Sequence, residues 1–243
     1  MDKENRRDLT ISGTGSANGG VYDRLSINGE GRIHGDLDCN SIKAYGVTTF
    51  KGNIKAERFD IVGETTVKGE VHTNEMKVKG QAHIHGQAHC QELKVIGSAT
   101  VNGNLTGEEI EIKGGATVNG DCSAESFQAS GGFTIEGLLN AGQIHVRLYG
   151  KCQAREIGGE TIRVEKDSLD FSLVKWLKSI LHYTNELVAD TIEGDDIYLE
   201  KTKAKVVRGN NVLIGPGCEI ELVEYKDHFE QKGDSIVKEH NQV

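Results

Sequence analysis

The sequence predicts an all-β solenoid, a parallel β-helix built of triangular coils, and three observations carry that prediction. Glycine recurs at a fixed step of 17 residues: Gly29, Gly46, Gly63, Gly80, Gly97, Gly114 and Gly131 form one column, and Gly35, Gly52, Gly69, Gly86, Gly103, Gly120 and Gly137 form a second. Fourteen of the 31 glycines therefore obey one strict period, the mark of an architecture made by stacking a repeated unit. Apolar residues keep the same register. One column reads Leu25, Ile42, Phe59, Met76, Leu93, Ile110, Phe127, Ile144; two residues on come Ile27, Ala44, Ile61, Val78, Val95, Ile112, Ala129, Val146. A third begins Ile33, Phe50, Val67, a fourth Leu37, Ile54, Val71, and small residues fill a fifth from Cys39 and Ala56 to Ala141. Within a unit the apolar spacing is two, which is strand alternation rather than helical periodicity.

Three short strands at offsets of six, six and five residues close one coil. Stacking coils at the ~4.8 Å strand spacing gives parallel ladders around an apolar interior. Glycine marks corners, where a Cβ would obstruct the turn or φ must be positive. Residues 1–8, MDKENRRD, read as a charged, disordered tail. Leu9, Ile11, Gly13, Gly15, Ala17, Gly19 and Val21 repeat the pattern one residue short, so they make the first coil. Seven full coils follow from Leu25, and eight coils at the ladder spacing span roughly 38 Å.

After Val146 the period changes. The phrase Ala154-Arg-Glu-Ile157-Gly-Gly159 returns as Ala189-Asp-Thr-Ile192-Glu-Gly194, then in part as Val207-Arg-Gly209. The β-helix domain is thus expected over 9–164, with further coils over 187–225. Between them, 165–186 reads as an amphipathic helix: Phe171, Val174, Leu177 and Leu181 form a stripe beside Trp176, Ile180 and Tyr183. Residues 226–243 are charged and poor in apolar groups, a flexible tail. The open cross-sections of such a stack are its natural contact surfaces, which nominates Leu9 and Ile11 at one end and Ile220 and Leu222 at the other.

Composition narrows the function. A net charge of −9 argues against nucleic acid or anionic lipid as a default partner. No apolar run reaches the length of a membrane span, and no signal-peptide core is present at the N-terminus. Five cysteines spread along the chain read as small buried hydrophobes of a reducing cytoplasm. His83 and His85 on one strand, with His72 and His89 in adjacent coils, raise a metal site. No ordered carboxylate or thiolate completes a ligand set, and the column holding His83 is otherwise threonine. The outward column Asp60, Lys77, Lys94, Glu111 reads as surface pairing between coils. With no nucleophile elbow, no phosphate loop, no dinucleotide fingerprint and no long loop to build a cleft, the expectation is no catalytic residue, no metal and no cofactor.

Uninterrupted 17-residue coils such as Ile61-x-Gly63-x-Thr65-x-Val67-x-Gly69-x-Val71 resemble those of the bactofilins, bacterial polymer-forming cytoskeletal proteins. The run from Asn210 to Tyr225 is similar to the ending of longer Gram-positive members. The resemblance implies a right-handed β-helix and end-to-end assembly into filaments without nucleotide. It also implies a cytoplasmic scaffold role in cell shape, polarity, envelope synthesis or motility. Partners would be further copies of the chain, a paralogous bactofilin, or envelope and motility proteins, with peripheral contact at the inner face of the membrane left open. Typical members have proline-rich tails and lack the helical interruption; this chain has one proline. The rival readings are a non-polymerising adaptor capped at one end and a hexapeptide-repeat acyltransferase. The second requires 18-residue coils and a catalytic histidine loop, neither of which the sequence supplies.

Overall fold

The computed structural model describes residues 6–166 and 185–243, and every regular element in them is a β-strand. The chain divides into two compact units, Met1–Gly120 and Asp121–Val243. The first holds β1 (Arg7–Phe50), β2 (Ile54–Val67), β3 (Val71–Val78), β4 (Gln81–Ile84), β5 (Ala88–Val95), β6 (Ser98–Val101), β7 (Leu105–Ile112) and β8 (Gly115–Val118). Pairing is parallel throughout and the register is constant: Leu37 lies beside Ile54, Ile54 beside Val71, Val71 beside Ala88 and Ala88 beside Leu105. That is the 17-residue step of the sequence, converted into hydrogen-bonded neighbours.

One coil shows how the chain closes. From Val71 to Val78 burial alternates, slips at the two exposed residues Asn74 and Glu75, and resumes at Met76. The slip is a corner. Lys79 and Gly80 make the next corner, Gln81–Ile84 the third side, and His85 to Gln87 the last corner. Each corner has its own solution. Gly46 has φ +116°, and a Cβ there would be driven into the carbonyl oxygen of Gly29 in the coil beneath, so backbone crowding and φ both demand glycine. At the other glycine corner a side chain replaces a missing backbone partner: Asp36 Oδ1 accepts from the Asn53 N–H at 2.8 Å, and Asn53 Oδ1 accepts from the Glu70 N–H at 2.9 Å.

The interior follows the first four apolar columns without exception; every residue named for them above is buried. Phe50 and Phe59 meet edge to face with centroids 5.6 Å apart. There is also a sixth inward column, unmarked by hydropathy: Gly31, Thr48, Thr65, Ala82, Ala99 and Ala116. Thr48 and Thr65 stack within it, 1% and 0% exposed, and their hydroxyl oxygens have no hydrogen-bond partner.

The second unit holds β9 (Cys122–Ala129), β10 (Gly132–Leu148), β11 (Cys152–Lys166), β12 (Leu187–Leu199), β13 (Thr202–Ile214), β14 (Glu219–Gln231) and β15 (Ile236–Gln242), each parallel to the next. Its coils vary in length. Leu139 sits beside Cys122 but Cys152 beside Phe133, and Thr202 beside Leu187. β11 pairs directly with β12, Ile157 beside Ile192. The expected helix over 165–186 falls on 167–184, outside the described residues; Glu165 and Lys166 themselves belong to β11.

Two expectations about the termini are corrected. Residues 226–243 are not a flexible tail: β14 runs to Gln231, and β15 lies in register on it, Ile220 beside Val237 and Val223 beside His240. Strand pairing continues there, but with so few aliphatic residues that composition concealed it. Arg6, Arg7 and Asp8 are likewise part of the stack. Arg6 pairs with Asp38 at 2.8 Å, Asp8 with Arg24 at 2.9 Å, and Arg7 lies over the Tyr22 ring.

All five cysteines are free and buried. Burial pushes the thiols of Cys90, Cys122 and Cys152 up to about 12 and that of Cys218 up to about 11.

Two outcomes follow from this core. Ile61→Lys places an unpaired charge at a fully buried position and should cost more than about 4 kcal/mol, whereas Asp60→Lys, on the outward face next door, should cost under about 1 kcal/mol. Denaturant melts that coincide would show the strand phase to be wrong. The thiols should resist a thiol reagent at pH 8 until the chain unfolds. Because their folded pKa values are raised, their protonated form is the one the fold keeps. Stability is then complete below the unfolded value near 8.5 and falls as pH rises towards 12, by about 1.4 kcal/mol per pH unit for each thiol. A melting temperature flat from pH 8 to 11 would contradict this.

Candidate assembly interface

A coil inside a stack has hydrogen-bonding neighbours above and below; a terminal coil has a neighbour on one side only. Its outer side is a row of N–H and C=O groups around an apolar cross-section, an edge open to pairing. The two terminal coils here are chemically different.

In the first unit, the start of β1 forms such an edge. From Leu9 to Tyr22 it contains no charged residue, only Gly, Ser, Thr, Asn, Ala and apolar groups. Leu9 is half-buried and Ile11 is 8% exposed. The charges that precede the edge are drawn down onto lower coils by the Arg6–Asp38 and Asp8–Arg24 pairs. Arg7 stays beside the edge, over the Tyr22 ring, so the strand from Leu9 to Tyr22 has no charge of its own and one cation at its margin. The sequence reading found Leu9 and Ile11 but passed over the missing charges, which are visible in the sequence once the strand is known to be an edge.

In the second unit, Ile220 and Leu222 are not at the opening. Ile220 is 1% exposed beneath Val237, and Leu222 lies beside Glu239, one coil in from the end. The outermost coil is closed by a ring stack. Tyr225 and Phe229 lie with centroids 5.4 Å apart, and Phe229 and His240 with centroids 4.9 Å apart. Phe229 continues the inward column of Val212, and His240 that of Val223, so aromatic rings stand where aliphatic ones would be exposed. Lys226, Asp227, Glu230, Lys232, Lys238 and Glu239 charge this coil, with Lys232–Glu230 and Lys238–Glu221 pairs at 3.1 Å. Charge on an edge strand discourages pairing.

The side chains considered for chemistry take ordinary surface partners. The His72 and His89 rings stack at 5.9 Å, His85 Nε2 lies 3.0 Å from Lys68 Nζ, and His83 stands between Thr66 and Thr100. Among the described residues no three His, Cys, Asp or Glu side chains converge on a point. Lys113 and Lys94 both bond to Glu111 and hold its carboxyl below the usual range. Arg163 does the same for Glu165, and the Tyr198 hydroxyl, donating to Glu200 at 2.6 Å, is pushed up to about 12. The Lys94–Glu111 pair joins two coils and the others lie two residues apart along the chain; none of them lines a cleft. The corner glycines of the first unit serve packing, as at Gly80, where a Cβ would strike the Gly63 carbonyl. No helix among the described residues is long and apolar enough to cross a membrane.

The bactofilin family profile, described as polymer-forming cytoskeletal, matches residues 3–89 and 48–140. The chain is 53% identical over 240 residues to the uncharacterized protein YhbF of Bacillus subtilis (strain 168), covering 98% of each. It is 59% identical over 222 residues to the uncharacterized protein YhbE of the same organism, covering 91% of this chain and 92% of that one. No solved structure matches. Parallel coils in register within each unit, with a family match across most of the 17-residue repeats, leave one assignment: the chain belongs to the bactofilins, a polymer-forming cytoskeletal family.

Proposed function

We propose that this chain is a non-enzymatic scaffold subunit that joins other copies through its terminal coils and builds filaments without nucleotide. The observation that carries the reading is the uncharged rim from Leu9 to Tyr22. Monomeric β-proteins protect such an edge with charge, proline or a covering element, because unpaired backbone groups around an apolar section recruit a second strand. Here the strand from Leu9 to Tyr22 carries neither charge nor proline. Family membership supports the cytoskeletal role, and the scaffold would organise machinery for cell shape, polarity, envelope synthesis or motility from the cytoplasm or the inner face of the membrane.

A second reading rests on the other terminal coil. Its seven charges, Asp234 among them, and the Tyr225–Phe229–His240 rings favour a closed end. If that end does not pair, copies meet only through their first coils and assembly stops at a dimer.

Sedimentation, light scattering and negative-stain microscopy of the full chain, with no nucleotide present, separate the two: long filaments for the first, a dimer for the second. Two variants test the rim. Ile11→Arg charges the apolar section, and Ser12→Lys places an ammonium on the exposed edge without touching the core. At about 1 M salt, where contacts between charged faces are screened, both should run as monomers, with the melting temperature of Ser12→Lys within a few degrees of the parent. Oligomers that persist in both variants at that salt, or that require nucleotide, would remove the first coil from the interface.

A further inference from the structure

Charge is divided unevenly along the chain. Residues 1–120 carry 14 Lys and Arg against 16 Asp and Glu, while residues 121–243 carry 14 against 21. Within the first unit the cations gather on one sheet side, built from the register-matched segments 42–45, 59–62, 76–79, 93–96 and 110–113. Its outward positions hold Lys43, Lys77, Lys79, Lys94 and Lys113 against two carboxylates, Asp60 and Glu111. Glu111 is shared by Lys94 and Lys113, and Lys43, Lys77 and Lys79 have no carboxylate partner among the described residues. Tyr45 and Ile96, 40% and 42% exposed, stand in the outermost column of the same side. A flat face with unpaired ammonium groups and exposed apolar groups is half of an interface.

The second unit supplies a complement. A groove runs along its glycine corner, Gly159, Gly194 and Gly209, and its rim carries Glu125, Glu156, Glu160, Glu193 and Asp195. Two cations share the rim: Arg208 is already occupied by Glu193 at 3.3 Å and Glu224 at 2.7 Å, and Lys226 stands against the five carboxylates. Glu125 and Glu160 have no cationic partner among the described residues.

We propose that the lysine-bearing side of the first unit in one copy docks on the acidic groove of the second unit in another copy. This is a lateral contact, separate from edge pairing, and it rests on the self-assembly reading only in taking a second copy as the partner. Lysine stems are long enough to carry their charge into a groove while Tyr45 and Ile96 bury apolar area at the rim. The opposing term is the net charge of −9 on each copy. Salt separates the two. At about 0.01 M ionic strength the Debye length is roughly 30 Å, so whole-molecule repulsion counts; at about 0.1 M it is roughly 10 Å, and only facing groups matter; at about 1 M it is roughly 3 Å, and the facing pairs are screened as well. Lateral association should therefore rise and then fall with salt.

The test uses the full chain, in the parent and in the Ser12→Lys background, with association followed by light scattering and sedimentation across that range. The lateral contact should give a maximum near 0.1 M in both backgrounds, whereas edge pairing is lost only in the second. Lys77→Glu with Lys79→Glu should weaken it by about tenfold or more, and so should Glu156→Lys with Glu160→Lys. An equimolar mixture of the two double variants should restore it, because the reversed face of one meets the reversed groove of the other. A monotonic salt response, or a mixture no stickier than its components, overturns the proposal. So does a lysine variant that keeps self-association but loses binding to vesicles of anionic phospholipid, since the face would then belong to a membrane.

Discussion

Parallel in-register pairing between successive coils is the constraint on which everything else in this protein depends. Each backbone group on a strand finds its partner one coil away, so a residue at one position always lies on the residue at the equivalent position of the coil beneath. Chemistry at any position is thereby copied along the stack. A column must be apolar throughout, or polar throughout, or glycine throughout where the carbonyl from below occupies the space of a Cβ, as Gly29 does under Gly46. A charge in an inward column would lose its hydration with no partner to replace it, while in an outward column opposite signs meet at small gain.

The same constraint governs where the chain can vary. Corners lie outside the ladder, and there coil length changes. The second unit accommodates shorter and longer coils, and the connection between Lys166 and Asn185 leaves β11 and β12 paired as neighbours. In the first unit the strands from β1 to β8 are separated by corners of two or three residues. Two kinds of surface are thereby presented outward: the edges of the terminal coils and the flat outer sides. The strand of the first coil from Leu9 to Tyr22 is uncharged, and the last coil is charged beside its aromatic rings. That asymmetry is written in side chains on the same kind of parallel ladder.

How much of this was legible depended on whether hydropathy or position carried the signal. The step of 17, the four aliphatic columns and the glycine corners were readable because each column repeats a strong chemical type; the step recurs in the strand register and the aliphatic columns are buried. The sixth inward column escaped because glycine, threonine and alanine have little hydropathic contrast with the outward threonines beside them; Thr48 and Thr65 are inside only because the pleat turns them there. Residues 226–243 escaped for a related reason. Val237 and Phe229 sit among charges, and an average over the segment hides an alternation that pairing with β14 and β13 makes plain. Ile220 and Leu222 then appeared terminal when a further coil covers them.

The sequence by itself determined the architecture, because a parallel stack demands the same residue class at every equivalent position and so prints its period on the chain. Only the tertiary structure decided which strands are edges, which charges face one another across coils, and which sides present lysine or carboxylate without a partner. Those properties depend on which coil comes last and on which columns share a side. Both are relations between residues far apart in the chain, and a period read along the sequence contains no term for them.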